Sequence, residues 1–179
     1  MGGKYKTCRN KRYKTKRITK YRSSADIQSI DISEYKFEIK EECLHDLLSH
    51  RQMSGSEFCG IVIGSTVGRK SYRINYISQP CNTEYNNSFK CCRDATIANQ
   101  IISEEYTKSN KTRVYFGEWH SHPESAPMPS SVDIDSIRDI YEKSVLAIDG
   151  VFLCIIGQQD IYWGFYIFNH LHAINPIII

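Results

Sequence analysis

The stretch from Thr112 to Asp133, TRVYFGEWHSHPESAPMPSSVD, decides how this chain folds. Residues 114–119 are rich in aromatic and β-branched side chains, which favour a β-strand. Because strand side chains alternate between the two faces, His120 and His122 point to the same face. Pro123 has no N–H to donate to a strand ladder, so it ends the strand. The sequence therefore predicts two imidazoles side by side at a strand end, next to a loop.

A carboxylate completes the candidate metal site. Residues 123–129, with three prolines, lead to Asp133, and apolar side chains at helical spacing follow over residues 134–141. Two imidazoles, one carboxylate and a water are the usual ligands of a catalytic zinc ion, whereas structural zinc sites are rich in cysteine. Zinc lowers the pKa of such a water from ~15.7 to roughly 7. The spacing thus predicts one zinc ion per chain and a hydrolase that attacks with water.

The same residues also have simpler interpretations. Ser130 and Asp133 have the spacing of a helix-capping pair, in which a serine hydroxyl accepts from backbone amides and an acidic residue occupies the first turn. A His-x-His pair in a strand, without other support, is more often a surface or hydrogen-bonded pair than a metal site. Two histidines, a proline, a serine and an aspartate within one short span together favour the metal site. The capping role of Ser130 stays open.

Taken together, His120-x-His122-Pro123, six residues and Ser130-x-x-Asp133 resemble the JAMM motif of the JAB/MPN metalloprotease family without gap or substitution. Residues 57–64, EFCGIVIG, are similar to the strand near the amino end of that family's domain, which begins with a catalytic glutamate. Gly117-Glu118-Trp119, which precede His120, look like the Gly-Glu-Trp-His-x-His-Pro form that is common among bacterial members. The resemblance implies a prokaryotic JAB domain with an α+β fold. Such a domain is an αβα sandwich with a mixed, partly curled sheet and cytidine-deaminase-like layering.

The resemblance also implies a role for each residue of the motif. His120, His122 and Asp133 would bind zinc. Glu57 would take a proton from the attacking water and pass it to the leaving amine, and Ser130 would stabilise the oxyanion. One carboxylate can act first as base and then as acid, and a hydroxyl can donate to a growing negative charge. The implied reaction is hydrolysis of an isopeptide or peptide bond at the C-terminus of a ubiquitin-like or conjugated protein, without a covalent intermediate.

Glu118 is a second carboxylate near the site by spacing alone, because it shares the strand face of the two histidines. We expect it to orient a ligand imidazole through the other ring nitrogen. A solvated carboxylate at a strand edge is the alternative.

The biological context follows from the resemblance alone. Bacterial members that look like this chain accompany activating-like and conjugating-like enzymes in antiphage operons of the CBASS type, where they reverse conjugation of a nucleotidyltransferase. The chain is therefore expected to be a deconjugating protease in antiviral defence, with those enzymes as partners. A catalytically silent MPN scaffold is the alternative, although no motif residue is missing. A nucleic-acid-binding protein led by its amino-terminal tail is another.

That tail differs in charge from the rest of the chain. Residues 1–22 hold ten of the 23 Lys and Arg residues and no acidic residue, which leaves 13 basic against 20 acidic residues, or −7, in the remainder. Tyrosines recur among the cations of residues 4–22, a pattern that can bind nucleic acid through phosphates and base stacking. A disordered, solubilising extension, or one docked on the acidic body, is the alternative.

Length and local pattern predict one domain over residues 24–179 after a flexible tail at residues 1–23. Strands are predicted at 35–39, 57–64, 72–78, 89–91, 151–156 and 161–168, helices at 40–50 and 93–108, and a surface loop at 80–88. The seven cysteines, an odd number without paired metal spacing, suit reduced thiols. With no apolar segment typical of a signal peptide or membrane span, we expect a soluble cytoplasmic protein.

Overall fold

The computed structural model describes residues 31–81 and 93–179, which are built around an eight-stranded sheet. The strands are β1 (Lys36–Ile39), β2 (Cys59–Gly68), β3 (Ser71–Ile77), β4 (Val114–Ser121), β5 (Val151–Ile156), β6 (Ile161–Ile167), β7 (His170–Ala173) and β8 (Ile177–Ile178). The helices are α1 (Glu41–Ser49), α2 (Ala95–Lys108) and α3 (Ser131–Lys143), with a 3-10 turn at Ile32–Glu34. The strand order is β7-β6-β5-β4-β2-β3-β1-β8. Because β1–β3, β1–β8 and β4–β5 are parallel and the other pairs antiparallel, the sheet is mixed.

Helices cover both faces of this sheet. Leu47 of α1 belongs to the largest apolar cluster, together with Val62 of β2 and Phe152 of β5. On the other face, α2 packs through Ala98 and α3 through Ile137, each in a smaller cluster with alternate residues of the same central strands. This arrangement follows from the period-two alternation of strand side chains. The α+β sandwich with a mixed, curled sheet is therefore confirmed.

The centre of the sheet is apolar on both faces. Every residue of β5 is buried, as expected for a strand covered by helices on both sides. In the largest cluster Phe116 and Phe152 stack with ring centroids 5.3 Å apart, and Phe165 meets Phe152 edge-on at 5.0 Å. Burial of each such side chain contributes roughly 1.5–3 kcal/mol. Strand β4, which ends one residue before His122, therefore lies in the buried centre of the sheet, between β2 and β5.

Most predicted elements occur where the pattern placed them, with ends displaced by at most four residues. The main displacement concerns Glu57, which precedes β2 because the strand begins at Cys59. Helix α2 begins at Ala95 because the Asp94 side chain caps it. Strands β7 and β8 were not predicted; β8 is only two residues long and depends on pairing with β1.

Several predictions fall outside the described residues. These are the tail at 1–23, the nucleic-acid contacts of residues 4–22, most of the loop at 80–88 and the strand at 89–91.

The cysteines were predicted to be reduced thiols, and the structure differs from this prediction at one position. Cys43, Cys81 and Cys154 are buried free thiols, and burial raises the pKa of Cys43 to about 11. Cys59, however, is disulfide-bonded rather than reduced. In the part of the chain that the structure describes, no helix has the length and apolar character needed to span a membrane.

Candidate active site

His120 lies in strand β4 and His122 directly follows it, at the centre of the sheet between β2 and β5. His120 pairs with Cys59 of β2. The ladder continues one residue past the strand, because the His122 N–H donates to the Ile156 carbonyl at 2.8 Å, and Pro123 then ends it. Each histidine is only 8% exposed. The neighbouring strands therefore fix the backbone that presents the two imidazoles.

Helix α3 supplies the third donor through its first turn. Ser130 is the N-cap, and its hydroxyl accepts from the Asp133 N–H at 3.2 Å while the Asp133 carboxylate accepts from the Ser130 N–H at 2.7 Å. These reciprocal bonds form a capping box. The cap sets where the helix begins and thereby where the carboxylate points.

Residues 123–130, here called the ligand loop, are held by residues 157–160, the β5–β6 turn. The backbone bonds run from the Gln158 N–H to the Glu124 carbonyl (2.7 Å) and from the Gln159 and Asp160 N–H groups to the Ser125 carbonyl (3.0 Å each). The Gln158 side chain adds a bond to the Pro123 carbonyl at 2.8 Å. The path of the loop from the histidine strand to Asp133 is therefore determined by a distant turn.

The three donors converge at distances that suit one metal ion. Nε2 of His120 lies 3.1 Å from Nε2 of His122 and 3.3 Å from Oδ1 of Asp133. Nε2 of His122 lies 3.8 Å from Oδ2 of Asp133. Tetrahedral ligands at about 2.0–2.1 Å from zinc are separated from each other by about 3.3 Å, so two of the three spacings already match. In residues 31–81 and 93–179 no other group of three such donors converges.

The protonation of these donors suits a cation. Burial by itself would raise the pKa of Asp133, but the hydrogen bond and charge of His120, together with bonds from Ser130, hold it well below its ordinary value. Burial lowers the pKa of His122, and the charge of His120 lowers it further. At neutral pH Asp133 is therefore ionised and His122 neutral, the states that metal ligands require.

Glu57 reaches the same place from the segment before β2. Its Oε1 lies 3.7 Å from Nε2 of His122, and the residue is 8% exposed. Burial raises the pKa of Glu57, although the charge of His120 opposes the shift. A buried carboxyl group with a raised pKa beside the donors has the properties of a group that exchanges protons during catalysis.

The Ser130 hydroxyl faces both its own helix and the donors. Its capping role is confirmed, and in addition it donates to Oδ2 of Asp133 at 2.7 Å. Ser130 is exposed, so a substrate can approach it. Because a hydroxyl rotates to suit its partners, the same proton can turn from Asp133 toward a carbonyl oxygen.

Glu118 has different partners from those expected. It accepts from Nε of Arg93 at 2.6 Å and from the Tyr115 hydroxyl at 3.2 Å, and within the described ranges no hydrogen bond joins it to either imidazole. Instead, Oε2 of Glu124 lies 3.8 Å from Nδ1 of His122, a buried nitrogen without a hydrogen-bond partner among the described residues. The carboxylate beside this ring nitrogen thus comes from the ligand loop, whose conformation no residue spacing indicates.

A groove leads from the donors along α3 toward β4 and β5. Besides Glu57, His120 and Asp133, its lining includes Glu118, Val132, Ser136, Ile140 and Leu153.

The curled sheet, α3 and the convergent donors define an α+β domain with a candidate metal centre at the end of its central strand. The chain belongs to the family described as prokaryotic homologs of the JAB domain, whose model matches residues 40–166. The matched range contains Glu57, both histidines and Asp133. The family membership inferred from the motif is confirmed.

Two relatives of this chain carry the name CD-NTase/cGAS isopeptidase. The protein from Escherichia coli (strain TW11681) is 31% identical over 139 residues, which are 76% of this chain and 86% of that protein. The protein from Vibrio cholerae serotype O1 (strain ATCC 39315 / El Tor Inaba N16961) is 29% identical over 120 residues, 66% of this chain and 74% of that protein. A solution structure of a protein from Desulfitobacterium hafniense is similar with a TM-score of 0.55 at 18% identity, over 79% of this chain and 91% of that one. This likeness shows the shared fold.

Proposed function

We propose that this chain is a zinc-dependent isopeptidase that releases a conjugated CD-NTase by cutting the amide bond at the conjugation site. The observation that carries the proposal is the convergence of His120, His122 and Asp133 beside the buried Glu57. The names of the two relatives supply the substrate class. The proposal also gives the chain a cytoplasmic place in antiphage signalling, with activating-like and conjugating-like enzymes as partners.

His120, His122 and Asp133 would hold the zinc ion, and their spacing and protonation fit it. When bound, zinc supplies Lewis acidity, which makes water a nucleophile near neutral pH and polarises a carbonyl group. The backbone ladder of β4 and the capping box of α3 place the donors in advance, so little reorganisation accompanies binding.

Glu57 and Ser130 would carry the proton and charge movements. Glu57 accepts a proton from the attacking water as its oxygen bonds to the carbonyl carbon, and then delivers that proton to the lysine nitrogen as the C–N bond breaks. The raised pKa of Glu57 lowers the cost of holding the proton between these steps. Ser130 donates to the carbonyl oxygen while its negative charge is largest.

The test uses a CD-NTase conjugate made with the activating-like and conjugating-like enzymes of the same organism. Zinc-loaded wild type should separate the conjugate into its two proteins, as followed on a denaturing gel. Glu57→Gln should retain one zinc per chain and lose turnover, whereas His120→Asn should lose both. An intact conjugate after incubation with zinc-loaded wild type would refute the proposed function.

A catalytically silent scaffold remains the competing function, and zinc content separates the two. The convergent donors predict about one equivalent of zinc after metal-replete expression. Less than about half an equivalent would favour the scaffold.

A further inference from the structure

We propose that Gln52 and Ser121 form a buried bridge that positions Glu57 relative to the metal ligands. This inference rests on the proposed function, because it concerns how that reaction's base is held. Neither residue faces the donors, so both would be positioning residues.

Ser121 lies between the two histidines in sequence but points to the opposite face of β4. Its side chain is fully buried, with a relative exposure of 0%. The hydroxyl accepts from the Phe58 N–H at 2.9 Å and donates to Oε1 of Gln52 at 2.5 Å. One hydroxyl therefore joins the ligand strand to two points of the segment that carries Glu57.

Gln52 is 3% exposed and uses both ends of its amide. While Oε1 accepts from Ser121, Nε2 donates to the Ser54 carbonyl at 3.2 Å. The chain then turns at Gly55, whose φ of +97° is a conformation that glycine adopts without strain. The amide thus fixes the turn that leads directly to Glu57.

The bridge matters because Glu57 precedes the first residue of β2. Within residues 31–81 and 93–179, both backbone bonds of Phe58 go to Ser121: its N–H donates to the hydroxyl, and its carbonyl accepts from the Ser121 N–H at 2.9 Å. Without the hydroxyl, the Phe58 N–H loses its partner and the segment loses its link to Gln52. The backbone that places the Glu57 carboxylate 3.7 Å from Nε2 of His122 would then be held less firmly.

The two residues before Gln52 are also held by contacts with the rest of the domain. The His50 ring stacks on Trp119 with centroids 4.8 Å apart, and Nη2 of Arg51 donates to the Gln159 carbonyl at 2.8 Å. The segment is therefore anchored at its start, and Gln52 and Ser121 anchor its end.

The test compares Ser121→Ala and Gln52→Met with a matched control, Ser78→Ala. Ser78 is also 0% exposed, and its hydroxyl accepts a backbone N–H of β2, that of Ile61, at 2.9 Å. In the full-length zinc-loaded protein, both bridge variants should lower kcat by about 10- to 100-fold, with KM and zinc content within about twofold of wild type. The double variant should be no slower than Ser121→Ala, because the two residues act as one unit. Ser78→Ala should keep the wild-type kcat.

A second readout needs no substrate. Amide hydrogen exchange followed by NMR should show faster exchange of the Phe58 N–H in Ser121→Ala, and of the Ile61 N–H alone in Ser78→Ala. Unchanged exchange at Phe58, or a kcat loss no larger than that of Ser78→Ala, would overturn the bridge. If wild type does not cleave the conjugate, the proposed function fails, and the exchange at Phe58 still decides whether the bridge holds this segment.

Discussion

Gly157 in the β5–β6 turn is the position where one added methyl group should loosen the ligand loop. A Cβ there would lie 2.5 Å from Cδ of Pro127, 2.7 Å from the Glu124 carbonyl oxygen and 2.9 Å from the Ser125 carbonyl oxygen. Two of these neighbours are backbone atoms and the third is a proline ring, so none can move aside by rotation. Gly157→Ala must therefore push the turn away from the loop.

These distances set how much Gly157→Ala lowers the free energy of unfolding. Carbon atoms in contact are about 3.5 Å apart, so the turn must move by about 1 Å. The three backbone bonds that hold the loop, now 2.7–3.0 Å, would then exceed hydrogen-bonding distance. At about 1 kcal/mol each, their loss lowers the free energy of unfolding by about 3 kcal/mol. With a urea m-value of about 2 kcal/mol/M, the midpoint should fall by about 1.5 M.

Urea unfolding followed by circular dichroism measures this shift, and zinc titration of the folded variant should show weaker binding, because Asp133 follows the displaced loop. The matched control is Gly68→Ala. A Cβ at Gly68 would meet nothing closer than 3.5 Å, so that variant should unfold within about 0.5 kcal/mol of wild type. Equal midpoints for the two variants would refute the reasoning.

Three further predictions concern single residues of the site and its surroundings. Ser130→Ala should lower the free energy of unfolding by about 0.5–2 kcal/mol and also slow turnover, whereas Ser130→Thr should keep the cap; wild-type kcat in the alanine variant would remove the hydroxyl from the reaction. Asp133→Asn should reduce zinc per chain, as measured by mass spectrometry, and a full equivalent would contradict its role as ligand. Burial lowers the pKa of His50 from 6.5, so the stabilisation by its neutral form is complete above pH 6.5 and is lost as the pH falls through the lower folded value. His50→Phe should therefore show a shallower loss of stability between pH 7.5 and about 5, and an unchanged slope would argue against this cause.

Local pattern was sufficient for the parts of the fold that obey a strong period. The alternation in β4 and the proline after His122 placed both imidazoles correctly at a strand end. The capping spacing of Ser130 and Asp133 indicated that a helix begins near these residues, and α3 begins at Ser131. These features could be predicted because they depend on residues that are neighbours in sequence.

Other features depended on partners far along the chain. The expected contact of Glu118 with an imidazole is replaced by bonds to Arg93 and Tyr115, because the position of α2 and its preceding segment brings Arg93 there. Strand β8 is two residues long and exists through its pairing with β1. Neither partner is visible in a local window of sequence.

By itself, the sequence determined which side chains are available as donors, base and hydroxyl, and which of them share a strand face or a helix turn. Backbone periodicity and capping chemistry are short-range, so they can be read directly from residue order. Only the tertiary structure decided that His120, His122 and Asp133 meet within 4 Å of one another, that Glu57 lies beside them, and that Gln52 and Ser121 bind its segment. Those distances arise from the pairing of β2 with β4 and from the turn that holds the ligand loop, contacts between residues that are remote in sequence.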